Sequence, residues 1–191
     1  MTAFPPLTLA TARWRPASGD GLEHLDLRRD GENIIAEGMI VGSRDAPPYG
    51  VHYRIVCDAG WRTRVLHIHT TAGRSVHLAS DGESRWNDDG GNRVPHLDGC
   101  IDVDLAGSPF TNTLPIRRAD LSPEMGAVEF RMVYSPFATF EAAVDEQRYI
   151  CLEAARLYRY EAVDRSFAAD LTVDDDGLVV DYPTLFHRVP V

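Results

Sequence analysis

Lysine is missing altogether: across 191 residues every one of the 19 basic side chains is arginine, set against 29 acids for a formal net charge of -10. The excess of acid excludes nucleic acid and anionic membrane surfaces as default partners, since their phosphates would be repelled. The lack of lysine means that any anion bound here meets planar, bidentate guanidinium forks instead of ammonium points. Cysteine is scarce. Cys57, Cys100 and Cys151 are an odd number, widely spaced and in no CxxC arrangement, which excludes a disulfide framework and fits reduced thiols in the cytoplasm. No apolar run is long enough to cross a bilayer. The first residues, MTAFPPLTLATARWRP, lack basic residues ahead of an apolar stretch and are interrupted by Pro5-Pro6, so no signal peptide is expected and the compartment predicted is the cytoplasm. A long amphipathic helix is missing too, as are a phosphate-binding loop, a dinucleotide fingerprint and any sign of a cofactor site. The segment from Phe137 to Glu146 reads equally as helix or strand.

What the chain has is turns. Asp-Gly occurs at 20–21, 30–31, 81–82, 89–90, 98–99 and 176–177, and this dipeptide supplies the positive backbone angles of tight hairpins. Between the turns lie short alternating segments such as Val51-His52-Tyr53-Arg54-Ile55-Val56-Cys57, Cys100 to Leu105 and Val128 to Tyr134. Further strands are predicted at 23–29, 33–41, 61–70, 74–80, 147–152, 156–161, 167–173 and 178–182. With 44% hydrophobic residues and no linker, the chain reads as one all-β, mainly antiparallel domain over 1–191. At Asp58-Ala59-Gly60, a three-residue loop with Gly60 left-handed would pair Cys57 with Trp61, Ile55 with Thr63 and Tyr53 with Val65. This register gathers the apolar residues on one face and puts His52 on the opposite face from His67 and His69.

One stretch stands apart. In Ser108-Pro109-Phe110-Thr111-Asn112-Thr113-Leu114-Pro115-Ile116-Arg117-Arg118, serine is suited to cap a helix and proline to open it, while Pro115 should end it. A short helix over 108–114 is predicted, and a helix so short needs a sheet packed around it.

DGLEH at 20–24, LDGCIDVDL at 97–105, SPFTNTLPIRR at 108–118, QRY at 147–149 and DDGLVVDYP at 175–183 resemble the signature segments of the bacterial putative glycolipid-binding family, a former domain of unknown function. The resemblance runs from about Gly19 to Val189. It implies a spiral β-roll, with many short strands wrapped around one helix, placed here near 108–114. It also implies an amphiphilic ligand, named by the family as a glycolipid, but transfers no catalytic or binding residue.

The candidate ligand-binding residues are Trp86, Thr111, Asn112, Thr113, Arg117 and Arg118. Trp86 lies in the polar, glycine-rich SRWNDDGGN, where a large aromatic suits a ligand or an interface. Thr111, Asn112 and Thr113 either hydrogen-bond sugar hydroxyls or satisfy loop backbone. Arg117 and Arg118 either meet an anionic group on the ligand or pair internally with Asp102 or Asp104; the internal pair is the simpler reading. His67 and His69 share a strand face at a spacing that can chelate a metal if a third ligand joins them. Asp174-Asp175-Asp176-Gly177 reads as a hairpin turn, not a calcium loop, because the alternating ligands are missing. Cys100 near His96 and Asp102 lacks the elbow and order of a nucleophile. The function expected is non-enzymatic binding of an amphiphilic or lipid-like molecule in or on the roll. A metalloprotein built on His67 and His69, or a homodimeric module paired through sheet edges, are the alternatives.

Overall fold

The computed structural model describes residues 3–43 and 47–191. Fourteen strands follow the Asp-Gly punctuation: β1 (Leu9–Pro16), β2 (Gly21–Asp30), β3 (Asn33–Gly42), β4 (Tyr49–Cys57), β5 (Thr63–Thr70), β6 (Ser75–Ser80), β7 (Trp86–Asp88), β8 (Asp102–Leu105), β9 (Ala127–Ser135), β10 (Ala143–Glu153), β11 (Leu157–Ala162), β12 (Ala168–Val173), β13 (Val179–Tyr182) and β14 (Phe186–Val189). They form one open sheet in the order 7-6-5-4-3-2-1-14-13-12-11-10-9-8. Two antiparallel meanders are thus joined where β1 pairs with β14, and the edges are β7 and β8. The sheet curls into an all-β roll, as expected. Its edges are tied by the Trp86 indole, whose Nε1 donates to the Cys100 carbonyl just before β8 at 2.9 Å.

Strands alternate as half-buried strands must. On β4, Val51, Tyr53, Ile55 and Cys57 face inward while His52, Arg54 and Val56 lie between them, partly exposed. Gly38 on β3 lies directly opposite Tyr53, and a Cβ there would come within 2.5 Å of the tyrosine ring. The glycine makes room for the ring, and its backbone angles are ordinary.

The hairpin after β4 differs from the expected register. Cys57 pairs with Thr63, Ile55 with Leu66 and Tyr53 with Ile68. The loop is longer, and the residue with positive φ is Trp61 at 65°, not Gly60. Asp58 holds it, its Oδ1 accepting from the Gly60 and Arg62 amides at 2.9 and 3.1 Å. Trp61 can then fold back into the core, so apolar burial sets the loop in place of glycine's freedom. The register also brings His52 opposite His69, on the same face as His67.

The stretch after β8 is helical, but extends past Pro115. A 3-10 turn over Pro109–Asn112 runs into α1 (Thr113–Ala119). Ser108 caps the turn, accepting from the Phe110 amide at 3.2 Å. Pro115 does not end the helix because it is only the third residue of α1, where the missing N–H would have no intrahelical partner. The chain leaves α1 at Asp120, in the left-handed region with φ 47°. The need for a helix here is topological: β8 and β9 are parallel, the one exception to the antiparallel pattern among the described strands. A parallel pair requires a crossover.

Phe110 through Ile116 are all buried. The helix therefore fills the roll's interior, where the amphiphile reading needs room for an apolar tail. Phe137 to Glu146 is no helix: it is irregular to Ala142 and then enters β10.

Candidate functional site

The helical segment lies between two clefts. The first, of about 360 Å³, opens beside its N-terminal side. β8 contributes Asp104; β10 contributes Asp145, with the buried Gln147 behind it on the same strand face; the 3-10 turn and its cap contribute Asn112 and Ser108. The Gln147 amide nitrogen donates to both carboxylates, to Asp104 Oδ2 at 2.7 Å and to Asp145 Oδ2 at 2.9 Å. Thr111 donates its hydroxyl to Asp104 Oδ1 at 2.7 Å. Tyr149 donates to Asn112 Oδ1 at 2.8 Å, and the Asn112 amide donates to the Pro109 carbonyl at 3.1 Å. Burial pushes the Asp104 carboxyl above its ordinary range, partly offset by the bonds from Thr111 and Gln147. Burial, followed by the charge of Asp104, likewise raises the Tyr160 hydroxyl.

Opposite these polar groups stand aromatic rings. Tyr160 packs on Phe167 and Tyr182 at centroid distances of 6.0 and 6.2 Å, and Tyr182 on Phe186 at 6.3 Å. Tyr160 also meets Tyr149 edge-on at 5.5 Å. No arginine or histidine lines the cleft among the described residues. One wall offers ring faces and the other offers carboxylates and amides, in a space suited to a small molecule.

Behind Ser108 lies a second polar group. Glu23 on β2 faces inward and is buried; its Oε1 accepts from Tyr53 Oη and Ser108 Oγ, both at 2.6 Å. Its Oε2 has no hydrogen-bond partner among the described residues. Burial pushes its carboxyl up to about 8, so it is neutral through most of the physiological range.

The residues named from the sequence are divided. Thr111 and Asn112 join the network of this cleft. Thr113 turns away, donating to the Gly177 carbonyl at 2.8 Å. Trp86 lies away from this cleft: it is completely buried in the core, and its one donor is engaged by the Cys100 carbonyl. Its polar surroundings misled because β7 is only three residues long and is embedded among turns. Arg118 makes the internal pair, with Nε and Nη2 donating to both oxygens of Asp102 at 2.6–3.1 Å. Arg117 pairs with no carboxylate among the described residues. It donates to the Asp176 and Pro5 carbonyls at 2.7 and 2.6 Å, so the Asp-rich hairpin is a turn that packs on the helix.

His67 and His69 are exposed on the outer face, and no group of three or more His, Cys, Asp or Glu residues is placed to hold a metal among the described residues. His67 instead lies against the His77 ring at 5.5 Å, and His52 lies 3.3 Å from Glu37. Cys100 is unsuited to nucleophilic work, since burial pushes its thiol up to about 11.

The sequence reading missed Asp145, Gln147, Tyr149, Tyr160, Phe167, Tyr182 and Phe186. A signal was present. Segments that carry the family resemblance meet at this cleft and just behind it: LDGCIDVDL brings Asp104, SPFTN brings Ser108 and Asn112, and the DYP triplet brings Tyr182 to the lining, while Glu23 of DGLEH, Thr111, and Gln147 and Tyr149 of QRY are hydrogen-bonded to lining residues from behind.

The family model described as putative glycolipid-binding matches residues 11–188. The chain belongs to that family. A crystal structure of a DUF1089 family protein from Pseudomonas aeruginosa is 38% identical, covering 90% of this chain and 94% of that one, with a TM-score of 0.77. No curated protein matches the chain. No helix among the described residues is long and apolar enough to cross a membrane.

Proposed function

We propose that this member of the putative glycolipid-binding family holds the uncharged sugar head of an amphiphile in the cleft between Asp104, Asp145 and the rings of Tyr160, Phe167, Tyr182 and Phe186. The observation that carries the reading is the pairing of ring faces with carboxylate and amide groups in one cleft that has no lining cation among the described residues. Sugars present an apolar face of C–H groups to aromatic rings, and their hydroxyls donate readily to carboxylates. Two acids with no counter-cation among the described residues would repel a sulfated or phosphorylated head, in keeping with an uncharged one. Thr111 and Asn112 act at one remove, holding Asp104 and Tyr149. The alkyl tail lies outside the roll, because Phe110, Leu114 and Ile116 occupy its interior. A shallow depression beside the cleft shares Asp145, Ala162 and Ser166 with it and adds Val144, Val163, Glu146 and Asp164. Its two valines give the first methylenes apolar contact worth at most about 0.8 kcal/mol each. Among the described residues none in the cleft has the arrangement of a nucleophile with its base, and binding without chemistry is the simplest use of it.

Calorimetric titration with octyl glucoside below its micelle concentration tests the reading. Saturable binding that weakens about tenfold in Phe167→Ala, with octyl sulfate binding more weakly than the glycoside, is expected. Equal affinity for octyl sulfate, or the absence of saturable heat with the glycoside, would overturn it.

A further inference from the structure

The second cleft, of about 320 Å³, opens beside the C-terminal side of α1 and is lined by Phe4, Trp61, Arg29, Arg117, Arg118 and Asp120 among others. Its chemistry is the reverse of the first. Three guanidinium groups meet one lining acid, Asp120, which accepts from the Ala3 amide at 2.7 Å. Arg118 is neutralised by Asp102. Arg117 is not neutralised: no carboxylate lies within ion-pair distance of it among the described residues.

The Arg117 guanidinium is fixed nonetheless. Its carbon lies 4.5 Å from the Trp61 ring centroid and 5.1 Å from that of Phe4, while two of its five N–H groups hold backbone carbonyls. Aromatic faces and carbonyls hold a cation in place without cancelling its charge. Part-burial opposes that charge further, and Asp176 and Asp174 act on it only from a distance. Arg29, exposed and lining the same cleft, uses Nε on the Gly31 carbonyl and makes no carboxylate pair among the described residues. A half-buried guanidinium held by two rings and two carbonyls, with unused donors and a second arginine lining the same cleft, has no counter-anion among the described residues.

We propose that this cleft is a second binding site, taking the phosphate group of a phosphate monoester between Arg117 and Arg29. A carboxylate is saturated by one guanidinium fork, whereas a phosphate monoester has three terminal oxygens and matches forks from two arginines. The acidic surface elsewhere makes the site selective by exclusion, since an oxyanion finds little other attraction on a chain of net charge -10. The site is separate from the aromatic cleft, shares no lining residue with it and does not rest on the sugar-binding reading.

The test is titration with inorganic phosphate and, in parallel, hexyl phosphate at constant ionic strength, followed by calorimetry. Saturable binding of both is expected, weakened at least about fivefold in Arg29→Gln and more in Arg117→Gln. Tighter binding of hexyl phosphate assigns an amphiphile's head, and equal binding assigns a free phosphorylated metabolite. Arg117 also anchors Pro5 and the Asp176 turn, so Arg117→Gln risks loosening the fold; Arg29 is exposed and its variant keeps the test clean. No saturable binding of either phosphate, or full affinity retained in Arg29→Gln, would overturn the proposal. Neither result would touch the octyl glucoside experiment.

Discussion

Arg118 donates through Nε and Nη2 to both oxygens of Asp102, and Asp102 has no exposed surface. The pair ties the last turn of α1 to the first residue of β8. It is the link by which the crossover helix is held against the edge it serves. Removing one partner strands a buried charge. Arg118→Ala is expected to lower unfolding stability by about 3–5 kcal/mol, while an Asp102→Leu, Arg118→Met double variant recovers most of the loss. Urea denaturation of the three proteins checks this; a double variant no better than the single would show that the charges do more than cancel each other.

Glu23 gives stability a pH dependence of known sign. Its carboxyl releases its proton near 4.5 in the unfolded chain and near 8 in the fold. Between those values the folded state holds a proton that the unfolded state has lost, so the stability from this group is fully present below about 4.5 and falls as pH rises towards 8. The slope is up to about 1.4 kcal/mol per pH unit. In Glu23→Gln the slope should flatten, with the variant gaining on the native protein as pH rises from 5 to 8. Denaturation midpoints across that range measure it.

Trp86 is expected to matter to stability and not to ligand. Trp86→Phe leaves the buried Cys100 carbonyl without its donor and should cost about 1–3 kcal/mol. Octyl glucoside affinity, measured where the variant is fully folded, should stay within about twofold of the native value.

Gly38 is fixed by the Tyr53 ring. In Gly38→Ala the new methyl must displace that ring and with it the bond to Glu23. A loss of about 1–3 kcal/mol is expected, as for other overpacked sites. Adding Tyr53→Leu should return part of it, since the smaller side chain makes way.

Local sequence carried most of the architecture. Alternation on Val51–Cys57 and the Asp-Gly turns mark the meanders, and Ser108-Pro109 marks the start of the helical segment. Three strands escaped notice for physical reasons. β1 and β14 owe their pairing to each other, across nearly the whole chain, and β7 has three residues and no room to alternate. The end of α1 was misjudged because Pro115 was counted from Pro109, whereas the 3-10 turn restarts the helix at Thr113. The hairpin after Asp58 was misjudged because glycine was given the left-handed position that Trp61 takes. The aromatic cleft was hidden for a different reason. Tyr160, Phe167, Tyr182 and Phe186 come from β11, β13, β14 and the loop before β12, and only closure of the roll gathers them beside Asp104. Thr111 and Asn112 were legible as polar groups in need of partners, but their partners lie on β8 and β10.

The central claim is that a neutral sugar head sits in the cleft between Asp104, Asp145 and the aromatic wall. The most direct test is chemical-shift mapping of the isotopically labelled protein during titration with octyl glucoside below its micelle concentration. The account predicts saturable shifts centred on Asp145, Gln147, Tyr160, Phe167 and Tyr182, absent in Phe167→Ala at the same concentration. Shifts centred elsewhere, or none at saturating glycoside, would contradict it.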